Sequence, residues 1–266
     1  MDPMYEYNRV TDTRAAWRKL LIKRLLFKLV GEIYVGKRVK LAYFQRWLKR
    51  IRLAPEATIM EAGSGDGVFA FSLAANHRTA RVLGVELNPV EAETCERMAR
   101  KEGLTNLSFL TGNLVSLDWG DRFDMIYSLD VLEHIPDDVD ALRSLYKALK
   151  PGGILLVHVP NRWYMETDGR LLTVPDEEAW RINPGHVRAG YTRDELSSVL
   201  SAAGFQIRCL EESQGRPIAF AHRWYARIEK VMPLRVAILP VIDLLTWLDM
   251  RKTPAHGNTV WALAQK

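Results

Sequence analysis

Apolar residues along this chain follow two different spacings. From Ala57 onward, short apolar runs of strand length alternate with segments whose apolar positions recur at helical spacing. The runs predict strands at 57–62, 81–86, 106–111, 123–129, 153–159 and 205–212, with a last one at 259–264. The periodic segments between them predict helices at 67–76, 89–102, 137–149 and 192–203. Such alternation predicts a doubly wound α/β domain: a mostly parallel sheet, right-handed crossovers and helices on both faces. No internal repeat or low-complexity tract interrupts it.

Upstream of this alternation the pattern is helical only. A helix is expected over about 13–30, with Thr11 or Asp12 as its cap and a loose tail at 1–12. A second is expected over about 37–52, where Leu41, Phe44, Trp47, Leu48 and Ile51 share one face and Arg38, Arg46, Lys49 and Arg50 the other. Charge changes the picture here. The whole chain carries +5, but residues 14–52 hold 13 Lys/Arg against Glu32, or +12, which leaves 24 basic and 31 acidic residues, −7, elsewhere. The expected organisation is a basic helical arm at 1–52 and a domain at 53–266 with insertions at 161–190 and 213–258. The arm reads either as a cap over the sheet or as an attachment to an anionic surface or substrate.

The first strand runs into Glu61-Ala62-Gly63-Ser64-Gly65-Asp66-Gly67, and a helix follows at once. Glycines at alternate positions accept positive φ and let a ligand lie against bare backbone, while the helix behind them presents unpaired N–H groups. This is the place where open α/β sheets bind nucleotides. A pyrophosphate ligand fits badly: Glu61 would repel it, the loop has no Lys or Arg, and there is no G-K-[ST]. Glu61 suits the cationic amino-acid end of a ligand instead. Glu86 ends the second strand, where its carboxylate can accept ribose hydroxyls, and Pro89 opens the next helix.

The acidic-x-Gly-x-Gly-x-Gly string resembles motif I of class I S-adenosylmethionine-dependent methyltransferases. Further motifs join it: Phe123-Asp124-Met125-Ile126-Tyr127-Ser128-Leu129-Asp130 with Val131-Leu132-Glu133-His134-Ile135-Pro136, then Lys150-Pro151-Gly152-Gly153, then the run from His186 to Phe205. Together they cover 56–212 and point to the small-molecule branch, similar to the methyltransferase domains of ubiquinone and menaquinone biosynthesis. The resemblance implies a Rossmann-like sheet of seven strands and S-adenosyl-L-methionine as cofactor. It places the cofactor against Glu61, Ala62, Gly63, Ser64, Gly65, Gly67, Glu86, Leu87, Asn113, Leu114 and Asp130, with Asn113 at the adenine edge.

Methyl transfer is an in-line displacement that needs alignment and the exclusion of water, and it needs a base only if the acceptor arrives protonated. The candidates are Asp130, His134 and His186. No metal is expected, because the Asp-Asn pair of a catechol-type site is missing beyond the fourth strand. The absence of an Asn-Pro-Pro-Tyr-type motif after that strand lowers DNA and protein-amide targets. The two insertions are expected to select the acceptor. The first carries Trp163, Tyr164, Met165, Trp180, Asn183 and His186, and the second is strongly apolar but broken by Pro233 and Pro240. A small or amphiphilic, lipid-like or prenylated acceptor, methylated at oxygen or nitrogen, fits best, with an anionic membrane surface as a further partner. RNA gripped by the basic arm ranks behind it, and a non-catalytic cofactor-binding module behind that. Two cysteines and no stretch of 18 uninterrupted apolar residues lead to an expected reducing cytoplasm, with peripheral membrane attachment as an extension. No residue pattern sets an oligomeric state.

Overall fold

The computed structural model describes residues 13–266 except 166, 167, 169, 174, 183, 184, 229 and 253. The expected tail at 1–12, its caps Thr11 and Asp12, and Asn183 lie outside the described residues. The chain opens with α1 (Thr13–Val30) and α2 (Val35–Arg50). It continues as β1 (Thr58–Ala62), α3 (Val68–Asn76), β2 (Arg81–Glu86), α4 (Pro89–Lys101), β3 (Leu107–Thr111) and β4 (Phe123–Leu129). After α5 (Asp138–Ala148) and β5 (Leu149–Pro160) comes the first insertion, made of β6 (Trp163–Met165), β7 (Leu171–Thr173) and α6 (Asp176–Ile182). Then follow α7 (Arg193–Ala202), β8 (Gln206–Ser213), a second insertion of α8 (Arg216–Ile228), α9 (Met232–Ala237) and α10 (Leu239–Arg251), and finally β9 (Thr259–Gln265).

The main sheet has seven strands in the order β3-β2-β1-β4-β5-β9-β8. The first five are parallel, and β9 runs antiparallel to both β5 and β8. The long second insertion therefore splits a terminal hairpin, as the spacing predicts. Chain order reverses between β1 and β4, which opens a crevice at their carboxyl ends. Local chemistry sets the element limits. Asn88 caps α4 by accepting the Val90 N–H at 3.0 Å, and Thr192 and Glu195 close a reciprocal capping box on α7.

Side chains alternate across the sheet, so each face has its own core. One face is covered by α5 and α7, with Leu142, Leu145, Leu196 and Leu200 fully buried against Leu155 and Val157. The other is covered by α3, α4 and the arm. There Phe44 packs on Tyr127 with ring centroids 4.7 Å apart and edge-on to Phe69 at 5.7 Å, while Trp47 stacks on Trp261 at 6.2 Å. Tyr43 donates to the buried Asp249 of α10 at 2.5 Å, which ties arm, sheet and second insertion together. The arm is a structural layer of the domain.

Two sequence expectations shift. The buried stripe of α2 is Val35, Val39, Tyr43, Phe44 and Trp47, with Leu41 and Leu48 only partly buried. The helix is packed on two sides, by the sheet and by α10, so its apolar face is wider and rotated relative to a one-sided reading. The expected turn at Lys150–Gly153 lies inside a longer β5: Phe123 pairs with Leu149 and Met125 with Ile154, and the extra residues are absorbed as a bulge with Gly152 at φ 75°.

Because Phe44 fills the junction of arm and sheet, Phe44→Ala is expected to lower the unfolding free energy by about 3–5 kcal/mol. A matched change at the exposed Lys49 is expected to shift it by less than about 0.5 kcal/mol. Urea unfolding followed by circular dichroism checks both.

Candidate functional site

The crevice beyond β1 and β4 holds a cavity of about 790 Å³. Its floor is the turn after β1. Gly63, Gly65 and Gly67 take φ of 78°, 50° and 71°. At Gly63 a Cβ would sit 2.5 Å from Val131, so only hydrogen leaves room there, while the space over Gly65 is open. The N–H groups of Gly63 and Ser64 both bond the Val85 carbonyl, at 2.8 and 3.0 Å, and fix the turn to β2.

Two buried carboxylates hold this turn. Glu86 accepts the N–H of Gly65 at 2.8 Å on one oxygen and that of Asn88 at 3.0 Å on the other. Glu61 accepts the Ala70 N–H at 3.0 Å and the Tyr127 hydroxyl at 3.2 Å on a single oxygen. Burial raises the Glu61 carboxyl well above the ordinary range, against the pull of those two donors. Both acids line the cavity, as do Gly63, Ser64, Gly65, Leu87, Asn113, Leu114 and Asp130.

Ala62 and Gly67, also expected at the cofactor, stand outside the lining of this cavity. Ala62 packs into the sheet core, since alternation along β1 sends its side chain away from the crevice. Gly67 is the left-handed cap of α3, and a Cβ there would meet Phe109 at 2.9 Å. Asn113 faces the cavity, but its carbonyl oxygen accepts the Val115 N–H at 3.0 Å and so caps a short turn.

The opposite wall carries the expected acceptor-side groups. Asp130 has φ 55°, which aims its carboxylate away from the strand. One oxygen is paired with the Lys40 amine and the other with His158 Nδ1 at 2.6 Å. His158 is buried, its pKa is driven well down by desolvation and then by Lys40, and it bonds Asp130 as a neutral ring donating from Nδ1. His134 lines the cavity, and its Nδ1 meets the Gly185 carbonyl at 2.9 Å, which places the proton on that nitrogen. His186 does not line the cavity. It stands behind His134, with ring centroids 4.6 Å apart at 82°.

Residues that pattern reading does not single out complete the site. Lys23, Lys37 and Lys40 reach the cavity from the arm. Lys23 and Lys37 grip Asp66 of the glycine turn at 2.9 and 2.6 Å. Burial and then Lys37 push the Lys40 amine down to about 8, while Glu133 and Asp66 oppose. Other arm cations also face acids of the domain: Arg24 forks onto Glu102, Arg38 onto Asp243, and Arg46 and Arg50 reach Glu211. The expected free basic face at Arg38, Arg46 and Arg50 is therefore an internal contact, because the acidic domain draws the arm inward. A signal for Lys37 and Lys40 is present: 37, 40, 44, 47 and 51 continue one helical stripe.

Residues 36–210 match the family described as a methyltransferase domain. The chain belongs to it. Trans-aconitate 2-methyltransferase of Deinococcus radiodurans is 32% identical over 151 residues, 57% of this chain and 55% of that protein. Sterol 24-C-methyltransferase of Aspergillus fumigatus is 28% identical over 172 residues, 63% and 44% respectively. Phosphoethanolamine N-methyltransferase 2 of Haemonchus contortus, solved with S-adenosyl-L-methionine, shares the fold with a TM-score of 0.66 at 16% identity, over 100% of this chain and 59% of that one. The chain spans about half the length of the curated relatives it matches. S-adenosylmethionine is the cofactor of this family, and the cradle fits it: Gly63 is bare by necessity, Gly65 is open, and two carboxylates, Glu61 and Glu86, line the cavity beside them.

Burial alone would raise the Asp66 carboxyl, but Lys37 and Lys23 outweigh it and hold Asp66 far below the ordinary carboxylate range. A depressed folded-state pKa gives stability that is full above the unfolded value of about 3.9 and is lost as pH falls below it. Wild type is therefore expected to be more stable than Asp66→Asn at neutral pH, and the gap is expected to narrow steadily below about pH 4. Paired urea titrations across the acid range check it.

Proposed function

We propose that this chain is an S-adenosylmethionine-dependent methyltransferase acting on a small, amphiphilic acceptor at oxygen or nitrogen. The observation that carries the reading is the bare turn at Gly63 and Gly65, held by Glu61 and Glu86 and opening into a cavity whose far wall presents Asp130 and His134. The cofactor, when bound, supplies an electrophilic methyl group on a sulfonium. The chain's own part is alignment and dryness. Glu61 is suited to an ammonium, which would keep it ionised despite burial, and Glu86 to vicinal hydroxyls. Leu129, Val131 and Ile135 give the cavity apolar walls, and α2 reaches it with Lys37 and Lys40. Positioning of this kind can supply about 7–11 kcal/mol of the barrier.

Asp130 is an anchored anion between Lys40 and His158, so it suits orientation of the acceptor better than proton removal. His134 stands beside it on the cavity wall, with His186 supporting its ring.

The amphiphilic class is supported by the second insertion. Phe220, Trp224, Leu234, Leu244, Trp247 and Leu248 are exposed on α8, α9 and α10. Arg227 lies 5.4 Å over the Trp224 ring and Arg251 4.1 Å over that of Trp247, an apolar-plus-cationic pairing suited to an anionic lipid interface. No helix among the described residues is long and apolar enough to cross a membrane, so such contact would be peripheral. The RNA reading loses ground because so many arm cations already face acids of the domain. Relatives named for trans-aconitate and for a sterol differ in acceptor chemistry, and the choice of acceptor is assigned to this chain's own insertions.

Methyl-labelled S-adenosylmethionine incubated with the protein and cell extract is expected to label the lipid or small-molecule fraction, with Gly63→Ala losing at least tenfold of the transfer. Label confined to RNA would overturn the acceptor class, and no label with no calorimetric binding of the cofactor would overturn the enzyme reading. Flotation with phosphatidylglycerol vesicles is expected to carry wild type upward and to leave the double variant Trp224→Ala, Trp247→Ala in the soluble fraction. Equal flotation of the two would remove the lipid-interface assignment.

A further inference from the structure

We propose that Glu133, His134 and His186 form a site for a divalent transition-metal ion on the acceptor side of the cavity. Its role in methylation rests on the function proposed above, but its existence does not. One ligand atom from each of the three residues lies within 4.8 Å of the others. Donors around a tetrahedral zinc, at about 2.0–2.1 Å each, stand about 3.4 Å apart, so the set has to draw in by roughly 1.4 Å at most on binding.

Each residue brings a separate reason. Glu133 is 0% exposed, and neither carboxylate oxygen has a hydrogen-bond partner. A carboxylate left bare in a protein interior calls for a cation or a proton. His186 Nδ1 is likewise buried without a partner. His134 gives Nδ1 to the Gly185 carbonyl, the outer bond that fixes the tautomer of a metal-ligating ring and turns Nε2 toward the ion. The two imidazoles are neighbours, with ring centroids 4.6 Å apart at 82°.

The backbone is already set for this. The Val187 N–H bonds the Glu133 carbonyl at 2.9 Å, and Arg188 donates to the carbonyls of Ile135 and Pro136 at 3.1 and 2.9 Å. Arg188 also pairs with Asp138, which accepts the Tyr191 hydroxyl at 2.7 Å. The loop carrying His186 is thereby stapled to the segment carrying Glu133 and His134. Two imidazoles and one carboxylate suit zinc, iron(II), cobalt(II) or nickel(II) rather than magnesium or calcium. Three protein ligands leave positions open, and His134 and Gly185 place those positions on the cavity. An ion there would bind an oxygen of the acceptor and favour its ionised form, so a hydroxyl or carboxylate acceptor is the class it selects. This donor set is different from the Asp-Asn pair considered from the sequence.

The test uses the full chain, stripped with a chelator and dialysed. Zinc chloride is titrated by calorimetry, and cobalt(II) chloride by visible absorption, whose ligand-field bands report imidazole and carboxylate coordination. One ion per chain is expected, with Glu133→Gln and His186→Ala each weakening it on the order of ten- to hundredfold. Glu133→Gln keeps the shape of the side chain, and circular dichroism confirms that both variants are folded. Failure of wild type to bind either ion at a one-to-one ratio, or equal affinity in folded variants and wild type, overturns the site. S-adenosylmethionine titrated into the chelator-treated wild type is a separate reading: binding there upholds the cofactor assignment whatever the metal does.

Discussion

The turn after β1 depends on two carboxylates that accept backbone N–H groups from opposite sides. Glu86 reaches it from the end of β2 and takes Gly65, and Glu61 reaches forward from β1 and takes Ala70 at the start of α3. A loop of alternate glycines has high conformational entropy, and such bonds, made in a buried setting, are what confine it to one shape. The same confinement shapes the ligand site. A cradle built from backbone rather than side chains cannot adjust by rotamer, so its geometry is set by the neighbours that hold it: Val131 beneath Gly63, Phe109 against Gly67, and the Val85 carbonyl between two N–H groups.

The arm bears on this cradle through charge. Its excess of +12 and the deficit of −7 in the remaining residues are brought face to face, with Lys23 and Lys37 on Asp66 and Lys40 on Asp130. An exposed ion pair contributes little by itself. These pairs differ because they sit over a cavity, partly out of water, and because Phe44 and Trp47 already hold the helix that carries Lys37 and Lys40. Apolar packing sets where α2 lies, and charge sets which cavity groups it touches.

Much of the fold is legible in the sequence. Strand β4 has the limits expected of it, most other elements agree within two residues, and the terminal hairpin is recognisable across its insertion. That success comes from two strong periodicities and from the glycine string, each of which is local. The misses are non-local. Lys37 and Lys40 continue the stripe of Phe44 and Trp47, yet charged residues on a buried stripe read as surface until the acids they face are known. His158 meets Asp130 because β4 and β5 pair with Leu129 opposite His158, a register no linear pattern reports. Ala62 and Gly67 belong to the family string but serve the core and the helix cap. A motif marks the residues that build a loop as well as those that face its cavity.

The same reasoning accounts for Glu133. Within the string Leu132-Glu133-His134 it reads as part of a family signature, and its neighbour draws the attention because a histidine is a proton carrier. In the fold, Glu133 is the more costly of the two: it is 0% exposed, and burial raises the carboxyl to about 7 against the pull of its own backbone N–H, Lys40 and Arg188. A group held in that state favours whatever binds next to it, whether proton or cation. The first insertion reaches the cavity at Gly185. It ties the loop carrying His186 to the segment carrying Glu133 and His134, through the Val187 N–H on the Glu133 carbonyl and Arg188 on that of Ile135.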